Sequence, residues 1–403
     1  MPHAVTPGPL DPSGALTTSS SNYDDAATVL RLRTLRGAID IVGLSPAEAE
    51  VISEAWSRCD PRELSVTEAL AEPTAHVMRR TENDSWNAFH ESLVYQATAS
   101  AIASGQGSLL MFHGAALKDP DSAKAFVLVA ESGGGKTTAT RELGKSFEYF
   151  TDETVGIDED YKIFDFPKPL SILEGDMVRP KIQYGPEKLA LLEPSGDASL
   201  SLICLLNRDK DGEKQGATAE PVPMSEAIPL IAPQTSSLSR LDRGLVRLCQ
   251  AIDRVGGVQR LHYSEARDLS RLMADLLHAR PEKPTKPSCK HHRPAGNRWI
   301  AAENLRPMDD PRSEPVGEEY MRFNVDDAVY FDDGSLCILV DEKFTVLHGA
   351  GPFIWELLET PLKFEDLAEE ARDMDNAPED VERILHQALE SMIASGIVTQ
   401  GNR

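Results

Sequence analysis

The chain has 403 residues, 41% of them hydrophobic and 26% charged, which is enough for two buried cores. Its net charge of −24 disfavours nucleic acid and anionic membrane surfaces as partners, because the phosphates of either would be repelled. No apolar run approaches the ~20 residues that cross a bilayer, and five scattered cysteines without a C-x-x-C pair point to free thiols in a reducing cytoplasm.

Residues 1–25 open with MPHAVTPGPLDPSGALTTSSS, which lacks the basic start and apolar core of a secretory signal and reads as a disordered tail. From residue 26 the chain becomes patterned. Arg36–Gly43 has strand character, and Ser45-Pro-Ala-Glu48 opens a helix with an N-cap, a first-turn proline and a capping-box acid in their places. Trp86–Ser104 predicts a second helix, with Phe89, Leu93 and Ala97 at four-residue spacing. Short apolar runs at Leu109–Leu117, Ala125–Ala130, Phe147–Asp152 and Ser199–Leu206 read as buried strands, and their mixture with helices favours an α/β layered domain over 26–280.

Residues 281–318 read as an extended linker, opening with PEKPTKPSCKHHRPAG, which carries repeated Pro and Lys and almost no large apolar side chain. Within it, Cys289-Lys-His-His292 offers three metal-type ligands but neither a fourth nor a scaffold, so it is not taken as a zinc site. Residues 319–403 form the second domain, with 6 basic and 19 acidic residues. Strands are expected at Asp327–Asp332 and Leu336–Val340, joined by the hairpin pair Asp333-Gly334, and at Phe344–Leu347. Helices follow at Ala350–Leu358, Phe364–Arg372 and Glu379–Ser395, then a short strand from Ile397, the outline of a small winged-helix-like α+β domain.

The chemistry lies in Ala130-Glu-Ser-Gly-Gly-Gly-Lys-Thr-Thr138, which follows a strand and opens a helix. It matches the phosphate-loop pattern G-x-x-x-x-G-K-[ST] except that Ala130 replaces the first glycine, at little cost if its φ is negative. Consecutive N–H groups from Glu131, Ser132, Gly133, Gly134 and Gly135 into Thr137 and Thr138 would converge on one anion. Lys136 would meet the β/γ-phosphates of ATP, and the Thr137 hydroxyl would ligate Mg²⁺. Sixteen residues past Lys136, Asp152-Glu153 ends a strand, where carboxylates suit metal binding or proton abstraction from an attacking hydroxyl. Upstream, His113-Gly114 closes another strand, and Arg208 ends a fourth, either within reach of the phosphates or simply solvated.

His113-Gly114, the loop with Ser132 before its glycines, and Asp152-Glu153 stand in the order found in the HPr kinase family, which this domain resembles. The resemblance implies an HPr kinase/PEP carboxykinase-like α/β P-loop fold that transfers phosphoryl from a nucleotide to a protein hydroxyl. Asp152 would act as base, His113 would assist, and Glu153 with Thr137 would hold the metal. Pro167-Lys-Pro169 also looks like shorter relatives of that family, whereas Glu153 in place of Asp, and the lack of an LEIRG-like segment, depart from it.

The second domain, through Gly349-Ala-Gly-Pro-Phe-Ile-Trp-Glu-Leu-Leu358 and its flanking hairpin, resembles PqqD-like domains, or RiPP recognition elements. That resemblance implies binding of the leader of a ribosomally made precursor peptide by strand addition. The peptide would lie along Ser335–Val340 or Phe344–Leu347, against Val381–Leu389.

The combined expectation is a cytoplasmic ATP- and Mg²⁺-dependent kinase acting on a Ser or Thr of that peptide, beside other maturation enzymes. The linker would let one domain present substrate to the other. The alternatives are a non-catalytic nucleotide-binding adaptor and a small-molecule kinase whose tail mediates self-association; a homo-oligomer is compatible with each.

Overall fold

The computed structural model describes residues 20–24, 26–74, 76–81, 83–131, 133–174, 180–210, 212, 216–280, 299–302, 305, 315–374 and 377–401. Most of the expected tail, Ser132 and residues 289–292 lie outside these. Among the described residues no helix is long and apolar enough to cross a membrane, and Cys59, Cys204, Cys249 and Cys337 are buried free thiols.

The first layer is a four-stranded sheet of β1 (Val29–Arg33), β2 (Ala38–Val42), β3 (Arg62–Leu64) and β4 (His76–Arg79), in the order β3-β1-β2-β4. Helix α1 (Pro46–Ala55) starts as its sequence dictates: Ser45 Oγ accepts the Glu48 N–H, and the Glu48 carboxylate accepts the Ser45 N–H. Helices α2 (Val66–Ala71) and α3 (Trp86–Gly105) complete the layer, and Leu32, Ile39, Ile41, Trp56, Phe89 and Leu93 form its core. The chain is anchored before residue 25. Ser20–Tyr23 forms a 3-10 turn, and the buried Tyr23 hydroxyl donates to Asp40, which also pairs with Arg31 at 2.7 Å.

The central sheet comprises β5 (Leu110–Lys118), β6 (Lys124–Val129), β7 (Glu148–Thr151), β8 (Thr154–Ile157), β9 (Ile163–Phe164), β12 (Ser199–Arg208), β13 (Ala217–Val222), β14 (Thr235–Ser236) and β15 (Val258–Tyr263). Two short strands, β10 (Leu170–Ile172) and β11 (Ile182–Tyr184), form a hairpin beside it. Strands β6, β12 and β15 run parallel, and the others that pair along the sheet are antiparallel. Alternation along β6 sends Val127 and Val129 to α5 (Met224–Ile231) and α6 (Gly244–Arg254), and Phe126 and Leu128 to α4 (Lys136–Leu143) and α7 (Leu269–His278). Helices therefore cover both faces, which is why these strands read as continuous apolar runs.

The third unit holds the four-stranded sheet β16 (Trp299–Ala301), β18 (Asp327–Phe331), β19 (Leu336–Val340) and β20 (Lys343–Leu347), in that order. A three-stranded sheet joins β17 (Glu319–Arg322) to β21 (Leu362–Lys363) and β22 (Val398–Gln400), and α8 (Gly351–Leu357), α9 (Phe364–Arg372) and α10 (Val381–Ala394) pack around Trp355 and Leu389.

Three expectations change here. Leu336–Val340 is bonded on both sides, so it offers no free edge, whereas β20 lies at the sheet margin. Trp299–Ala301, inside the stretch expected as linker, is a strand, and its Trp299 indole donates to Asp253 at 2.6 Å. Finally, the unit is docked rather than tethered. Val329, Phe331, Cys337 and Leu339 share one core with Leu245, Leu248 and Ile252 of α6, and Asp327 pairs with Arg243 at 2.9 Å.

Candidate active site

The phosphate loop leaves the end of β6 and enters α4, so the N–H groups of the first helical turn point back toward the loop. Gly133 and Gly135 hold φ of 78° and 90°, which side chains resist, and this gives the glycines of the pattern their reason. Ala130 takes no positive φ, so it is unstrained in place of the missing first glycine. Its Cβ instead fills space beside Gly134, where an added Cβ would approach it to 2.8 Å and Glu131 O to 3.0 Å. The two positions share one small volume, and only one of them can carry a methyl group.

Lys136 is buried, and its Nζ donates to Ala130 O and, at 3.4 Å, to Glu131 O. Burial lowers its pKa, opposed by Glu153 first and then Asp152, so both acids act on it electrostatically. Thr137 is half-buried and Glu131 and Thr138 are exposed at the loop surface.

His113 stands inside β5, which runs on to Lys118 instead of closing at Gly114; it lies opposite Thr154 of β8, with Nδ1 3.5 Å from Glu153 Oε1. Gly114 follows because β5 passes close to β6 there: a Cβ would meet Leu128 O at 2.7 Å. Burial lowers the His113 pKa and Glu153 partly restores it, so the imidazole is neutral near pH 7.

The acid pair divides in two. Asp152 has a side chain only 3% exposed, and its Oδ1 lies 2.7 Å from Lys168 Nζ and 3.2 Å from Tyr149 Oη. Glu153 keeps 31% of its side-chain surface and lies 3.7 Å from the same Lys168. Lys168 itself is fully buried. Burial alone would lower its pKa, but Asp152 and Glu153 overcome that and raise it, so it is held as an ammonium ion. Its Nζ also donates to Pro169 O at 3.2 Å, and Tyr149 Oη lies 2.9 Å from the Lys168 carbonyl oxygen.

The structure thus gathers His113, Asp152 and Glu153 into one cluster and places Lys136 within their field. Lys168 and Tyr149 join them, although the sequence gives neither a part: Pro167-Lys-Pro169 carries only a resemblance, and nothing in a lysine between prolines announces complete burial. Glu153 also borders a small cavity of about 70 Å³ lined by Glu91, Tyr95 and Thr98 of α3 and by Ser171 and Lys181 beside the β10–β11 hairpin.

Among the described residues no three His, Cys, Asp or Glu side chains cluster as a self-contained metal site. Mg²⁺ carried on a nucleotide needs none, since one or two protein oxygens and the phosphates suffice. The Thr137 hydroxyl fits that demand, and the positive-φ glycines, with open space around Gly133, fit a phosphate.

No family model matches the chain, and no curated protein matches it. Among solved structures, the HPr(Ser) kinase/phosphatase from Coxiella burnetii matches at 11% identity over 42% of this chain and 93% of its own, with a TM-score of 0.20. A likeness that slight carries no argument, and the site rests on its own geometry.

Proposed function

We propose that this chain is an ATP- and Mg²⁺-dependent kinase that phosphorylates a Ser or Thr hydroxyl of a ribosomally synthesised precursor peptide. The observation that carries the reading is the placement of one partly exposed carboxylate, Glu153, against a neutral His113 and in the field of the loop lysine Lys136. The loop N–H groups and Lys136 would hold the phosphates, and Thr137 with the phosphate oxygens would hold Mg²⁺, which offsets charge on the transferring group. Glu153 would take the acceptor's proton as the hydroxyl oxygen bonds to the γ-phosphorus and the bond from that phosphorus to the β,γ-bridging oxygen breaks, releasing ADP. The role of base passes from Asp152 to Glu153 because Asp152 is buried and already paired with Lys168. Asp152 and Lys168 fix the bend between β7 and β8 in which Glu153 sits. The leader would add to β20, a marginal strand of the four-stranded sheet of the third unit.

The test incubates the chain with ATP, Mg²⁺ and Ser- or Thr-bearing precursor peptides, read by intact mass. Transfer is expected with wild type, to fall roughly a hundredfold or more in Glu153→Gln, and to fall less in Asp152→Asn. Peptide binding without transfer by wild type would leave a nucleotide-binding adaptor instead.

A further inference from the structure

Strands β6, β12 and β15 run parallel and end at the same sheet margin, where ligands of such sheets bind. Val129, the last residue of β6, is level with Leu205. Strand β12 continues to Arg208, three residues or roughly 10 Å farther, alongside the phosphate loop. Tyr263 is the register partner of Arg208 on β15. Both side chains meet the loop at the glycine before Lys136: a Cβ on Gly135 would lie 3.1 Å from Tyr263 Oη and 3.6 Å from Arg208 Cδ.

The two residues differ in solvation. Tyr263 is 1% exposed, and its Oη has no hydrogen-bond partner among the described residues. A buried phenol left unbonded is costly, and one that reaches a phosphate loop is placed to bond when the loop is loaded. Arg208 is exposed, and its Nε donates to Ser264 O at 3.1 Å, which fixes the guanidinium while using one of its donors. In a chain of net charge −24, a cation held at this margin is a feature that nucleotide binding requires.

We infer that Arg208 is a further phosphate ligand of the loop, a guanidinium supplied in cis to the phosphate chain of a nucleoside triphosphate. Tyr263 is its positioning residue, bracing the Arg208 stem and Gly135 together. This rests on the nucleotide reading of the loop and adds to it a second cation besides Lys136.

The experiment measures the affinity of the full chain for a fluorescent ATP analogue with Mg²⁺ across a salt series, with thermal melting of the free protein alongside. Arg208→Gln keeps donors but loses charge; it is expected to bind roughly ten- to a hundredfold more weakly, with a shallower salt dependence. Arg208→Lys should recover part of that loss. Tyr263→Phe should bind several-fold more weakly although its melting temperature is unchanged or higher, because an unbonded buried hydroxyl is gone. Wild-type affinity in Arg208→Gln, or an Arg208→Lys no better than it, overturns the assignment of Arg208. Unchanged affinity in Tyr263→Phe removes Tyr263 from it. If wild type itself binds no nucleotide, the reading of the loop falls and this one with it, an outcome distinct from either.

Discussion

At the scale of single residues, the chain spends stability on charge inside its core. Lys168 and Asp152 are both out of solvent, and such a pair survives only while each has the other. Lys168→Met strands a buried carboxylate and should destabilise the protein by roughly 3–5 kcal/mol. Adding Asp152→Asn should restore much of the melting temperature but not phosphoryl transfer, and additive losses in the double variant would show that the pair is not coupled. A second residue sets a pH limit. The buried Trp56 indole donates to His90 Nε2 at 2.9 Å, and burial pushes the His90 pKa down to about 4. The folded state therefore keeps a neutral ring that the unfolded chain would protonate below its ordinary value of 6.5. That contribution is complete above pH 6.5 and is lost as the pH falls toward 4, at a cost of roughly 3 kcal/mol. His90→Gln keeps an acceptor for the indole and does not titrate, so the difference between its stability curve and that of wild type should appear only in that window. Parallel curves would refute the assignment.

At the scale of elements, legibility followed the range of the interaction. The capping box at Ser45 and Glu48 is local, and α1 begins where the sequence places it. Helix α3 and strands β5, β6 and β12 lie within a few residues of their expected bounds, because the helix repeats against one core and the strands are apolar on both covered faces. The burial of Lys168 and the reach of Tyr263 to Gly135 depend on which strands become neighbours, and no local pattern encodes that. The loop shows both kinds of information. Its glycines were legible as a motif, but the compensation between Ala130 and Gly134 appears only when their distance is known. Gly134→Ala should therefore lower ATP affinity at least about tenfold, since the new methyl group meets both the Ala130 side chain and the Glu131 carbonyl. Ala130→Gly in the same chain removes the first contact and leaves the second at 3.0 Å, so it should return part of the affinity. Full additivity of the two substitutions, measured by nucleotide titration, would disprove the shared volume.

At the scale of the whole molecule, the third unit completes the second. Helix α6 has no side-chain cap of its own: its N-cap, Arg243, sits at a φ of 54° and caps nothing. The cap comes from the other unit, where Asp327 of β18 accepts the Val246 N–H at 2.9 Å and pairs with Arg243. A fully buried carboxylate at a helix N-terminus is favoured by the helix dipole, and burial nonetheless raises its pKa. The shared core of Val329, Phe331, Leu339, Leu245, Leu248 and Ile252 lies around this cap. Sequence composition marks residues 281–318 as a linker and so suggests two independent bodies, because nothing in a strand's alternation says that its second face is also covered. With α6 capped across the boundary, the full chain should melt by calorimetry in one transition despite that linker. Asp327→Ala leaves the partly exposed Arg243 and the first turn of α6 without their partner, at a cost of roughly 1–3 kcal/mol. It should split the trace, the third unit unfolding first while the loop-bearing unit still binds nucleotide. Two transitions in wild type that Asp327→Ala leaves in place would mean that the docking contributes nothing to stability. One transition in wild type and two in the variant would make Asp327 the residue that couples the third unit to the loop-bearing one.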